Sequence, residues 1–114
     1  MAVQLPSPPG TWAVVAGFDW DAGNRAKCRK HGLTPSEIEE LFNRPIAVLP
    51  DPGHSTNEER FKAIGRTDIG RSVLVVFTLL HRAVAMLIRP ISARYMHAKE
   101  VAYYEEEIAK AGQR

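Results

Sequence analysis

In the run Arg60-Phe61-Lys62-Ala63-Ile64-Gly65-Arg66, Arg60, Lys62 and Arg66 share one parity and Phe61, Ala63 and Gly65 the other. Strand alternation would put the cations on an outer face and the small and apolar residues beneath. Arg89 and Arg94 follow one or two strands later, close enough for all five cations to converge on one phosphate group. Cleaving a phosphodiester through its 2′-hydroxyl needs a proton acceptor, positive charge on the pentavalent phosphate and a proton donor for the leaving oxygen. Glu58-Glu59 sets a carboxylate beside the Arg60 guanidinium, an acceptor held by an ion pair, or simply a salt bridge. Lys30-His31-Gly32 closes a basic segment where a helix dipole favours cations, as donor and phosphate clamp or as plain helix capping. Without further information the same charges also read as a solvated strand face.

The elements that must position these groups are legible in order. Asn24 to His31 reads as a short solvated helix ended by Gly32 in a left-handed cap. Thr34, Pro35 and Glu37 form a capping box ahead of the apolar stripe Ile38, Leu41 and Phe42, and this helix stops near Asn43. Ile46 to Leu49, between prolines, reads as an edge strand, and Asp51 to Asn57 as a polar loop. Glu59–Arg66, Val73–Leu80 and Ala83–Ile91 make an antiparallel meander, with a turn at Thr67–Arg71. From Met96 to Lys110, Val101, Tyr104, Ile108 and Ala111 recur at helical spacing. Two helices, about four strands and a last helix describe an α+β fold with helices on one sheet face and the other face open to a ligand.

The whole chain narrows the options. At 114 residues it is one domain, with 45% hydrophobic and 25% charged residues as in an ordinary globular protein. Residues 1–17, with Pro6, Pro8, Pro9 and Gly10, read as a flexible arm ahead of a domain over 18–114, and carry no secretory pattern. A net charge of +2 and a pI near 8.9 permit an anionic partner but fall short of a dedicated nucleic-acid binder. Cys28 stands alone, which excludes an intramolecular disulfide and fits a reducing cytoplasm. The apolar run Val73–Leu80 is far shorter than the roughly 20 residues of a spanning helix, so no membrane association is expected. His54, His81 and His97 show no metal-ligand spacing, and no metal or cofactor is expected. Trp20 could stack on a base, but anchoring the N-terminal strand to the core is the commoner role.

Four segments in order resemble the BrnT toxin family: Phe18-Asp19-Trp20-Asp21, Lys30-His31-Gly32, His54 through Gly65, and Arg89 to Arg94, followed by Met96, Glu100 and Tyr104 at the family's spacing. The resemblance implies a RelE-like fold, endoribonuclease activity by metal-free transesterification, growth arrest, and neutralisation by a BrnA-like ribbon-helix-helix antitoxin through which alone DNA would be contacted. With that activity in view, His31, Glu59, Arg60 and Arg94 are the catalytic candidates among the residues above, and Lys27, Lys30, Lys62, Arg66 and Arg89 the candidates for RNA contact. The family's lysine after the Trp-Asp pair is missing here, where Gly23-Asn24 stand, and Lys27 is the available substitute. The alternative is a non-catalytic binding module or co-repressor that docks an antitoxin or nucleic acid through its basic face.

Overall fold

Side-chain oxygens set the starts of the first two helices in the computed structural model, which describes residues 15–54, 58–83 and 85–112. Helix α1 (Ala22–Arg29) is capped by Asp21, whose carboxylate accepts the Asn24 N–H at 2.9 Å while Asn24 Oδ1 accepts the Asp21 N–H at 2.8 Å. It closes at Gly32 (φ 86°): Leu33 N–H donates to the Cys28 carbonyl and Gly32 N–H to that of Arg29, a Schellman closure that needs the left-handed residue. Helix α2 (Pro35–Phe42) has the expected reciprocal box between Thr34 and Glu37, with Pro35 opening the first turn.

Strands β1 (Gly17–Phe18), β2 (Ala47–Pro50), β3 (Arg60–Arg66), β4 (Ser72–Arg82) and β5 (Ala85–Tyr95) form one sheet in the order β1-β5-β4-β3-β2. β2 to β5 are antiparallel to their neighbours, as the meander requires. β1 is the N-terminal strand raised for Trp20, and it makes the sheet five strands where about four were expected. It pairs parallel to β5, flanked by Ala16 N–H on the Met86 carbonyl and Asp19 N–H on that of Ile88. Val15 is already fully buried, so the fold begins inside the segment assigned to the arm, whose residues 1–14 lie outside the described residues.

α1 and α2 pack on one face of the sheet. Phe61 and Ala63 of β3, Val73, Val75 and Phe77 of β4, and Ile88 and Ala93 of β5 meet Cys28, Leu33, Ile38, Leu41 and Phe42 there. Phe42 stands edge-on to Phe18 and Phe77, with centroids 5.6 and 5.4 Å away. Burying Ile38, Leu41 and Phe42 removes three large side chains from water, worth about 2 kcal/mol each, and fixes α2 on the sheet.

The opposite face is not wholly open, as the sequence suggested. Helix α3 (Ala98–Gly112) lies across one end of it, against Ile64, Ser72 and Arg66, and none of its residues is buried.

Candidate functional site

On the face turned away from α1 and α2, the strand register lines the cations up in rows. Arg60 pairs across β4 with Thr78, which pairs with Arg89; Lys62 lies opposite Val76 and Ser92, and Ile64 opposite Leu74 and Arg94. With neighbouring strands about 4.8 Å apart, the Arg60 and Arg89 backbones flank Thr78 at about 10 Å, a span two long side chains can close. Thr78 is buried in that gap, and its hydroxyl donates to the Glu59 carbonyl oxygen at 2.8 Å.

Arg89 and Arg94 are an odd number of residues apart and would fall on opposite faces of a regular strand. The register slips between Val76 and Phe77: Val76 pairs with Ser92 and Phe77 with Pro90, leaving Ile91 as an extra residue. This bulge, beside a proline that cannot donate to the ladder, resets the alternation and brings both arginines to one face.

Each of these cations meets a carboxylate of its own chain. Arg89 donates to Asp19 and Asp21, both at 2.6 Å, and these bonds raise its pKa. Asp21 is lowered first by the Asn24 N–H it accepts and then by Arg89. Arg94 is held by both oxygens of Glu100 at 2.6 Å, and this fork lowers the Glu100 pKa to about 2. Glu58 lies 3.8 Å from Arg60, and Asp51 lies 3.8 Å from Lys62, whose ammonium also sits 5.5 Å from the Tyr104 ring centroid. Arg66, further along β3, makes a loose 3.6 Å pair with Glu105 of α3. The guanidinium groups thus arrive oriented, with carboxylates beside them, in a surface able to hold a phosphate and to move a proton next to it.

Other sequence-derived candidates lie elsewhere. A Cβ at Gly32, next to Lys30 and His31, would meet the Tyr95 ring at 3.9 Å, and Tyr95 pairs with core Val73 and so faces away from Arg94. His31 and Lys30 are exposed in the turn that closes α1, which places them on the helical side of the sheet, the face opposite Arg60 and Arg94. The carboxylate beside Arg60 is that of Glu58, whereas Glu59 contributes its carbonyl oxygen to Thr78. Lys27 shares an open recess of about 470 Å³ with Arg89, Asp21, Asn24 and Ile91 where α1 crosses the edge of β5. Asn24, standing where the family lysine is expected, is buried and donates to the Asp19 and Pro90 carbonyls, a structural tie. Trp20 anchors as expected, donating to Glu39 at 2.9 Å. Cys28 is fully buried, and burial raises its thiol pKa.

Sequence reasoning missed the acidic partners Asp19, Asp21, Asp51 and Glu100. Asp19 and Asp21 sit in the Phe-Asp-Trp-Asp segment and Glu100 at a fixed step from Arg94, so the signals were present without their pairing.

No curated protein matches the chain. A family model described as "Ribonuclease toxin, BrnT, of type II toxin-antitoxin system" matches residues 20–100, a span that holds the Asp21–Arg89 and Arg94–Glu100 pairs and all of β3. The chain therefore belongs to the BrnT family of ribonuclease toxins of type II toxin–antitoxin systems.

Proposed function

We propose that this toxin cleaves RNA by metal-free transesterification on the exposed sheet face, arrests growth by doing so, and is neutralised by a BrnA-like ribbon-helix-helix antitoxin that alone contacts DNA. The observation that carries this is the row geometry: Arg60, Lys62, Arg89 and Arg94 share one face, two of them only because of the β5 bulge. The scissile phosphate sits over Thr78, between Arg60 and Arg89, with Arg94 and Lys62 neutralising the charge that grows on its oxygens. The Glu58 carboxylate, oriented by Arg60, takes the 2′-hydroxyl proton. The 2′-oxygen then bonds to phosphorus, the bond to the 5′-oxygen breaks, and that oxygen takes a proton from the Lys62 ammonium. The products are a 2′,3′-cyclic phosphate and a 5′-hydroxyl.

Incubating the purified chain with end-labelled single-stranded RNA tests this. Cyclic phosphate ends formed at the same rate with and without EDTA support the mechanism; 3′-hydroxyl ends, or activity abolished by EDTA, refute it.

A further inference from the structure

The cations of the sheet face are matched by carboxylates, but among the described residues those of α1 and its closing turn are not. Arg25, Lys27, Arg29 and Lys30 are all exposed, and none makes an ion pair with a described residue. Residues 22–31 hold these four cations and no acid, so in a chain of net charge +2 the remaining residues sum to −2. The basic character of the protein is thus concentrated on one short helix.

A helix face that only keeps a protein soluble usually mixes signs, because like charges three or four residues apart repel by a few tenths of a kcal/mol. α1 instead accumulates them. Its buried residues Asn24 and Cys28 mark the inner side. At 100° per residue, Lys27 and Lys30 then fall on one flank and Arg25 and Arg29 on the other. The Lys27 flank opens into the recess that also contains Arg89, so it continues the cationic surface around the edge of β5.

We propose that α1 is a docking rail for the RNA backbone: phosphates flanking the cleaved one leave the sheet face at Arg89, pass Lys27 and Lys30, and are held with help from Arg25 and Arg29. The assignment rests on the reading of the chain as an RNA-cleaving toxin and adds where the substrate lies outside the reacting centre. RNA is favoured over an acidic protein segment because the flank runs directly into the face proposed to carry the chemistry. Single-stranded backbone binding needs a cationic track without base-specific contacts.

The test is the variant Arg25→Gln/Lys27→Gln/Arg29→Gln/Lys30→Gln. Glutamine keeps the helix propensity of lysine and arginine, and the repulsion it removes offsets the lost attraction of the cations to the helix C-terminus, so the melting temperature should stay within a few degrees of the parent's. Binding of a short single-stranded 2′-O-methyl oligoribonucleotide, whose blocked 2′-oxygen cannot attack, is measured against salt. Each lost phosphate contact should lower the slope of log K against log salt by about 0.7, so the full variant should lose between about 1.4 and 2.8. With cleavable RNA, KM should rise about tenfold or more while kcat stays near the parent value, because these side chains do not touch the reacting phosphate. An unchanged slope and KM overturn the rail. So does a variant that binds RNA normally but loses affinity for the antitoxin, which would give the helix to the partner protein. If the parent chain itself neither binds nor cleaves RNA, the ribonucleolytic reading and the rail fall together; if the parent cleaves and the variant matches it, only the rail falls.

Discussion

Replacing Glu100 by glutamine keeps the shape of the side chain, and its amide oxygen can still accept the His97 N–H that Glu100 accepts at 3.3 Å, but the charge facing Arg94 is gone. Lowering a carboxylate from 4.5 to about 2 corresponds to roughly 3 kcal/mol by linkage if nothing screens the pair. The Arg94 side chain is 41% exposed, and exposed pairs deliver at most about 1 kcal/mol, so the expected loss at pH 7 is about 1 kcal/mol. For a domain of this size that lowers the melting temperature by about 4 °C. Because the folded pKa is depressed, the pair stabilises fully above the unfolded value near 4.5, and its contribution disappears as pH falls towards 2. Parent and variant melting curves should therefore separate at pH 7 and converge near pH 2. Freed from its carboxylate, Arg94 should also bind phosphate more readily, so RNA affinity rises as stability drops. Identical melting temperatures at pH 7, or a gap that persists at pH 2, would refute this account of the pair.

Phe61→Ala should cost about 3–5 kcal/mol in urea denaturation, since Phe61 is 5% exposed with its ring 5.6 Å from that of Phe77. Gly65→Ala should destabilise by about 1–2 kcal/mol in the same assay, because a Cβ there would come within 2.9 Å of Ile46 and 3.1 Å of Leu41 in a packed corner. A Gly65→Ala protein as stable as the parent would mean that this corner yields freely.

Much of the fold was legible because the relevant signals are local. The Thr34–Glu37 box, the Gly32 closure and the alternation through β3 each depend on residues within a few positions of one another. What escaped were features settled by distant partners or by broken periodicity. β1 is two residues long, too short for any pattern, and exists because the chain passes beside β5. β5 runs on through Pro90 to Tyr95, past the expected end at Ile91, and its bulge reverses the parity that sequence alone would assign to Arg94. The apolar stripe of α3 was visible, but not that it would lie over the basic face and deliver Glu100 to Arg94. For the site, residue type singled out the cations that the register gathers on one face, whereas His31 could be placed only once α1 had been packed on the far side of the sheet.

The central claim is that the cations on the bulged face, and not His31, act on the reacting phosphate. Single-turnover cleavage at saturating RNA by the folded Arg60→Ala/Arg94→Ala variant tests it most directly, with His31→Ala measured alongside. The account predicts a rate lowered by about a hundredfold or more for the arginine variant and little change for His31→Ala. Parent-like cleavage by the arginine variant, or a collapse of the rate in His31→Ala alone, would contradict it.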